Sequence, residues 1–132
     1  MKRHTAGEDY LKTILVLQAE KGFVRSVDVA VRLNVSKPSV CYAVSVLRES
    51  NLISVDDKMH LYLTETGRRI AEQVYNRHCF FRQLLVDCGV SQQAAEEDAC
   101  RLEHAISVDS FQKLRDRYEA VNDGNLRVCS SF

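Results

Sequence analysis

The chain's only proline, Pro38, constrains its fold more than any other residue. Proline has a fixed φ and no backbone N–H, so it fits the first turn of a helix and breaks one almost anywhere else. It follows Asn34-Val35-Ser36-Lys37, which reads as a turn, and precedes Val40, Val44 and Leu47, which share one helical face. A helix is therefore expected from Pro38 to about Glu49 or Ser50, with Ser36 or Lys37 just outside it. Upstream, Ser26 reads as the N-cap of a short helix over Val27–Leu33. Before that, Tyr10, Leu11, Ile14, Leu15 and Leu17 mark an amphipathic helix from about Gly7 to Glu20, closed by Lys21-Gly22.

The hydrophobic period then changes. Leu52–Val55 and Met59–Leu63 read as short strands joined by the turn Asp56-Asp57-Lys58. From Thr64 to Gly89 a long helix is expected, with Ile70, Val74, Phe81, Leu84, Leu85 and Cys88 on its inner face. Ser91 reads as the cap of a helix through Ile106, and Ser107 as the cap of another through Tyr118. The expected architecture is mainly α with a small β-wing: a winged helix-turn-helix over 1–64, then a helical domain over 65–121. The tail, 122–132, shows no periodicity and is expected to be disordered.

Composition narrows the function. With 45% hydrophobic and 27% charged residues the chain can build a core. No apolar run approaches the ~20 residues of a membrane span, and no apolar stretch follows the N-terminus as in a signal peptide. Five cysteines, Cys41, Cys79, Cys88, Cys100 and Cys129, form an odd set without CxxC spacing. That argues against a disulfide framework and for the cytoplasm. The net charge is zero, yet residues 1–77 carry 12 basic against 9 acidic side chains and the remainder 6 against 9. A basic first half suits a polyanion and an acidic second half a cation. There is no Gly-rich phosphate loop, no HExxH and no nucleophile–base–orienter set, so an enzyme is not expected.

In a helix-turn-helix the second short helix enters the major groove and its N-terminal residues read base edges. The outward positions here are Ser36, Lys37, Ser39, Cys41, Tyr42 and Ser45, with Arg25, Ser26 and Arg48 as further phosphate contacts. At the wing, Asp56 and Asp57 repel a phosphate backbone, so any contact there rests on Lys58.

Cys100, Glu103 and His104 stand at i, i+3 and i+4, one face of a helix. Thiolate, carboxylate and imidazole together suit a divalent transition metal. His78 on the long helix, Asp9 on the first and the acidic run Glu96-Glu97-Asp98 are the neighbouring chemistry.

Several segments in order resemble one family. They are Gly7-Glu8-Asp9-Tyr10-Leu11-Lys12-Thr13-Ile14, the helix-turn-helix ending Asn51-Leu52-Ile53, Leu63-Thr64-Glu65-Thr66-Gly67, Arg77-His78 and Ala99-Cys100-Arg101-Leu102-Glu103-His104. Together they resemble the metal-dependent repressors, the family of the diphtheria toxin repressor and the manganese transport regulator, from about residue 5 to 118. The expected form is the short one, without an SH3-like third domain. The resemblance implies a DNA-binding domain, a dimerisation and metal-binding domain, and a principal metal site of Asp9, Cys100, Glu103 and His104. His78 matches a ligand of a neighbouring site.

Matched position by position, the chain mixes two types. Iron-type members have Met where Asp9 stands and Cys where Cys100 stands; the manganese type has Asp and Glu. Lys12 replaces a Glu ligand of the manganese type. Arg82 stands where the iron type has a carboxylate and Glu96 where it has a His, so a second site is expected to be either weak or rebuilt from His78 and Glu96. The expected cofactor is Mn(II) or Fe(II), with Zn(II) or Co(II) able to bind in vitro.

The resulting expectation is a cytoplasmic, homodimeric, metal-activated repressor that binds double-stranded operator DNA and controls metal-uptake genes, with no membrane partner and no small organic ligand. Metal shared between Asp9 and the Cys100–His104 segment would favour one pose of the two domains. In a dimer that pose sets the spacing of the recognition helices against half-sites ~34 Å apart. The alternative is a winged-helix regulator switched by cysteine oxidation, with Cys100 near His104.

Overall fold

The computed structural model describes the backbone of residues 3–121 and the side chains of residues 7–121. The tail expected to be disordered, 122–132, lies outside the described residues. Six helices and two strands run in the order α1 (Arg3–Lys21), α2 (Ser26–Leu33), α3 (Lys37–Glu49), β1 (Ile53–Val55), β2 (Leu61–Leu63), α4 (Glu65–Asp87), α5 (Gln92–Leu102) and α6 (Val108–Val121). The chain divides between Glu72 and Gln73 into two compact units.

In the N-terminal unit α1 packs against α2, α3 and β2. Leu11, Ile14, Leu15, Val24, Val29, Val40, Leu47, Ile53 and Leu61 are buried in it. The turn before α3 forms as the proline requires: Ser36 is the N-cap, its Oγ accepts from Ser39 N, and Pro38 sits in the first turn. Asn34, with φ 56°, closes α2 in the left-handed region. The N-cap position of α2 is Arg25 rather than Ser26. Arg25 N donates to Asp28 Oδ2 at 2.9 Å, the reach-back half of a capping box, and Lys21 Nζ meets Asp28 Oδ1 at 2.6 Å. The Asp28 carboxyl is held below the usual carboxylate range, first by Lys21 and then by the Arg25 amide.

The strands pair antiparallel with Ser54 opposite Tyr62. The segment before α2 adds to the hairpin through Leu61 N donating to Val24 O at 2.7 Å. Thr64 starts α4: its Oγ1 accepts from Gly67 N and donates to Asn51 O. Gly67 lies so close to the hairpin that a Cβ there would overlap the Leu52 carbonyl oxygen. This is the winged helix-turn-helix order the sequence predicts.

In the C-terminal unit the core is aromatic. Phe80, Phe81, Ala99 and Phe111 are buried, with Leu84, Ile106 and Tyr118 packed on them. Phe80 meets Phe81, Phe111 and Tyr118 edge-on at 5.3–5.7 Å. The expected face of α4 is buried at Val74 and Phe81 and is widened by Phe80, whereas Cys88 is exposed just past the helix end. Cys41, Cys88 and Cys100 are free thiols. Cys79, buried on α4, is disulfide-bonded, a departure from the expectation drawn from the cysteine spacing.

The helix begun at Ser91 also departs from expectation. Ser91 caps it as predicted, accepting from Ala94 N, but α5 ends at Leu102 rather than Ile106. Glu103 N still donates to Ala99 O at 3.0 Å, whereas His104 N and Ala105 N bond to carbonyls three residues back. The chain tightens into a turn, and Ser107 starts α6 by accepting from Ser110 N.

Candidate metal centre

The end of α5 fixes the geometry of the C-terminal unit's titratable cluster. The helix tightens after Leu102, so Cys100 lies in its last turn and Glu103 and His104 just past its end. Glu103 turns inward and is wholly buried, and His78 on α4 is nearly so. Glu103 Oε1 lies 3.0 Å from His78 Nδ1, and Glu103 Oε2 lies 3.0 Å from His104 Nε2. Cys100 Sγ, half-buried, lies 3.8 Å from the same His78 Nδ1. On the other side of the ring His78 Nε2 meets Glu96 Oε2 at 2.7 Å. One line of donors thus runs Glu96, His78, Glu103, His104, with the Cys100 thiol beside its middle.

The surroundings hold this line in place. Arg77 Nη1 donates to the backbone carbonyl of Glu103 at 3.2 Å while its guanidinium sits over the Phe111 ring. Arg82, one turn beyond His78 on α4, has Nη1 3.8 Å from Glu96 Oε1. A carboxylate with no solvent exposure is costly unless countercharged, and two imidazoles facing its two oxygens satisfy its geometry. Imidazole nitrogen, carboxylate oxygen and thiol sulfur within one unit form the donor set of a divalent transition metal. The residues present therefore fit such an ion. Asp9, the remaining expected ligand, lies half-buried on α1 of the N-terminal unit.

Sequence spacing alone pairs Cys100 with Glu103 and His104. The structure brings Cys100, His78 and Glu96 together, their ligand atoms within 4.8 Å of one another. The companion role of Arg82 had a signal in the sequence, because a basic residue and an acidic one occupy the two departures from the family pattern.

On the N-terminal unit, α3 leaves Lys37, Ser39, Cys41, Tyr42, Ser45 and Arg48 exposed, with Tyr42 74% accessible. Ser36 Oγ is occupied as the cap and lies 2.8 Å from Ser39 Oγ. Arg25 is exposed and Ser26 half-buried. At the wing, Lys58 is exposed, as is Asp57. Asp56 has a different role from the one its sequence position suggests. It turns into the hairpin, accepting from Lys58 N, His60 N and Tyr62 OH and meeting His60 Nδ1 at 3.1 Å. Its carboxyl is held below the usual range, chiefly by the His60 amide. Only Asp57 remains as an outward acid beside Lys58.

Two family models match the chain in succession. Residues 4–61 match "Iron dependent repressor, N-terminal DNA binding domain", and residues 64–123 match "Iron dependent repressor, metal binding and dimerisation domain". A "Transcriptional regulator MntR" of Escherichia coli O6:H1 is 33% identical over 82% of this chain and 70% of that protein. An "Iron-dependent repressor IdeR" of Mycobacterium bovis is 37% identical over 81% of this chain, which spans 47% of that protein's length. Among solved structures, the IdeR of T. acidophilum superposes with a TM-score of 0.74 at 28% identity, covering 84% of this chain and 53% of that one. A "Manganese-dependent transcriptional repressor complex with manganese" gives 0.76 at 26% identity, covering 95% and 62%.

Proposed function

Since the chain belongs to the family of iron-dependent repressors, matched in both its DNA-binding and its metal-binding and dimerisation parts, we propose that it is a divalent-metal-activated transcriptional repressor. In this reading it binds operator DNA as a homodimer and controls genes of metal-ion uptake. The iron-dependent relative and the manganese-dependent structural neighbour point to Mn(II) or Fe(II) as the ion. The observation that carries the proposal is the buried Glu103 carboxylate between the imidazoles of His78 and His104, with Cys100 and Glu96 beside them. No helix among the described residues is long and apolar enough to cross a membrane. We place the protein in the cytoplasm, where its DNA is.

Glu103 and His104 hold the ion in this proposal, with Cys100 next to them and His78 and Glu96 at the outer end. The sequence resemblance adds Asp9 to the set. When bound, a divalent ion supplies the positive charge that keeps carboxylate, imidazole and thiolate donors in one arrangement. Lys37, Arg48 and Arg25 anchor phosphates, and Ser39, Tyr42 and Ser45 face base edges. Lys58 completes the contacts at the wing.

The test is the response of DNA binding to metal in His104→Ala and Asp9→Ala. Both are expected to bind DNA no better with metal than with chelator. A wild-type response in either variant contradicts the assigned ligand set.

A second reading rests on the Cys100 thiol 3.8 Å from His78 Nδ1, a thiol–imidazole pair open to oxidation. It predicts operator binding that is indifferent to chelator and lost on peroxide treatment.

A further inference from the structure

A cavity of about 950 Å³ opens in the N-terminal unit among the start of α1, the helix α3 and the start of α4. Its walls belong to one compact unit, since every lining residue falls between Gly7 and Ile70. The hollow follows from the sequence. Gly7 carries no side chain, and a Cβ there would come no closer than 3.8 Å to Leu47 Cδ2. Ser39 and Ala43, one turn apart on α3, are small as well. Leu11, Leu47, Leu52 and Ile70 make the wall apolar, the first two of them buried. A mostly apolar concavity of roughly 300–1,000 Å³ is the kind that takes small organic ligands.

The remaining lining residues set the charge of the ligand. Among the described residues, Glu8 is the only charged side chain that lines the cavity. Tyr10 and Tyr42 line it too, and the face of a tyrosine ring attracts a cation. Carboxylate and ring faces act in the same sense, favouring a positive charge and opposing a negative one. Glu8 is half-buried and has a neighbour of its own, so what it brings to the wall is negative charge rather than an unengaged oxygen. A compact ammonium ion is strongly hydrated and loses much on entering apolar walls, whereas a cation with its charge spread over an apolar body loses little. We propose that this cavity binds an apolar organic monocation, of the quaternary ammonium or phosphonium class, against Glu8, Tyr10 and Tyr42. The proposal goes beyond the metal and DNA reading and depends on neither. It departs from the expectation that no small organic ligand binds.

The test is a calorimetric titration of the full chain in chelator with tetraphenylphosphonium and with tetraphenylborate, ions of matching shape and opposite charge. Wild type is expected to bind one phosphonium per protomer and to hold the borate at least roughly tenfold more weakly. Glu8→Gln is expected to weaken the cation alone and so close most of that gap. Ala43→Leu fills the hollow and is expected to weaken both ions at least roughly tenfold. The thermal transition of each variant without ligand checks its folding, and Glu8→Gln decides alone if Ala43→Leu does not fold. Equal affinity of wild type for the two ions overturns the proposal. So does a phosphonium affinity unchanged in Glu8→Gln or in folded Ala43→Leu. No phosphonium bound by wild type, with an assembly state that changes in Ala43→Leu on sedimentation, gives the cavity to a second copy and overturns it as well. No binding of either ion by wild type overturns it whatever the assembly state. Each of these failures leaves the proposed function standing.

Discussion

Glu103 and His78 approach each other to 3.0 Å between Oε1 and Nδ1 in the interior of the C-terminal unit, and the second oxygen of that carboxylate faces His104. Truncating Glu103 removes the buried carboxylate that faces His78 Nδ1 and His104 Nε2. Glu103→Ala should therefore lose about 3 kcal/mol of stability even in chelator, measured by urea unfolding. Glu103→Gln keeps the volume and should lose much less. It should still weaken metal binding by at least roughly tenfold. Equal stability of Glu103→Ala and wild type in chelator contradicts this account of the cluster.

The wing is held by Asp56. Its folded pKa is depressed, so the stability it contributes is present above the ordinary carboxylate range and is lost as pH falls through the folded value. The difference in Tm between wild type and Asp56→Asn should be positive at pH 7 and shrink on acidification toward pH 3. A difference that is constant with pH shows that the carboxylate's charge plays no part.

Close approach at Gly67 makes a sharper steric prediction. A Cβ there overlaps the Leu52 carbonyl oxygen, which itself accepts from Thr64 N. Gly67→Ala should destabilise the protein by about 1–3 kcal/mol through displacement of the hairpin from α4. Thermal unfolding of the variant at neutral pH checks it, and an unchanged Tm argues against the packing described.

For the DNA-facing helix, Lys37 and Tyr42 separate two kinds of contact. Lys37→Ala should weaken binding to all sequences alike and lower the salt slope by about 1. Tyr42→Ala should instead change preference among operator sequences, by about 1–3 kcal/mol for any base edge it reads. Anisotropy titrations at several salt concentrations, on the operator and on scrambled DNA, distinguish the two. The same salt slope for wild type and Lys37→Ala removes Lys37 from the phosphate contacts.

Much of this was legible in the sequence because the signals were local. Pro38 after Ser36 placed the start of α3, and the change of hydrophobic period placed the start of the long helix at Thr64. What the sequence hid depended on distant partners. Nothing near Leu102 says that α5 stops there, since no glycine or proline follows; Glu103 is drawn inward by His78, 25 positions away. Asp56 reads as an outward charge in the hairpin turn until the hairpin folds and supplies its donors. The α4 face is wider than the sequence reading because Phe80 is buried as well as Phe81, and only packing against Phe111 and Tyr118 shows that both are needed inside. Arg25 displaces Ser26 as the N-cap of α2 because Asp28 offers its own carboxylate to the amide.

The central claim is that a divalent ion makes this chain bind DNA. The most direct measurement is the anaerobic affinity of the purified wild-type protein for DNA from upstream of its own gene. It is taken at fixed salt in chelator, in Mn(II) and in Fe(II), because such affinities fall steeply with ionic strength. The account predicts tightening by at least roughly tenfold with one or both ions, as expected for a coupling of 1–3 kcal/mol. The same affinity in chelator and in both metals contradicts it.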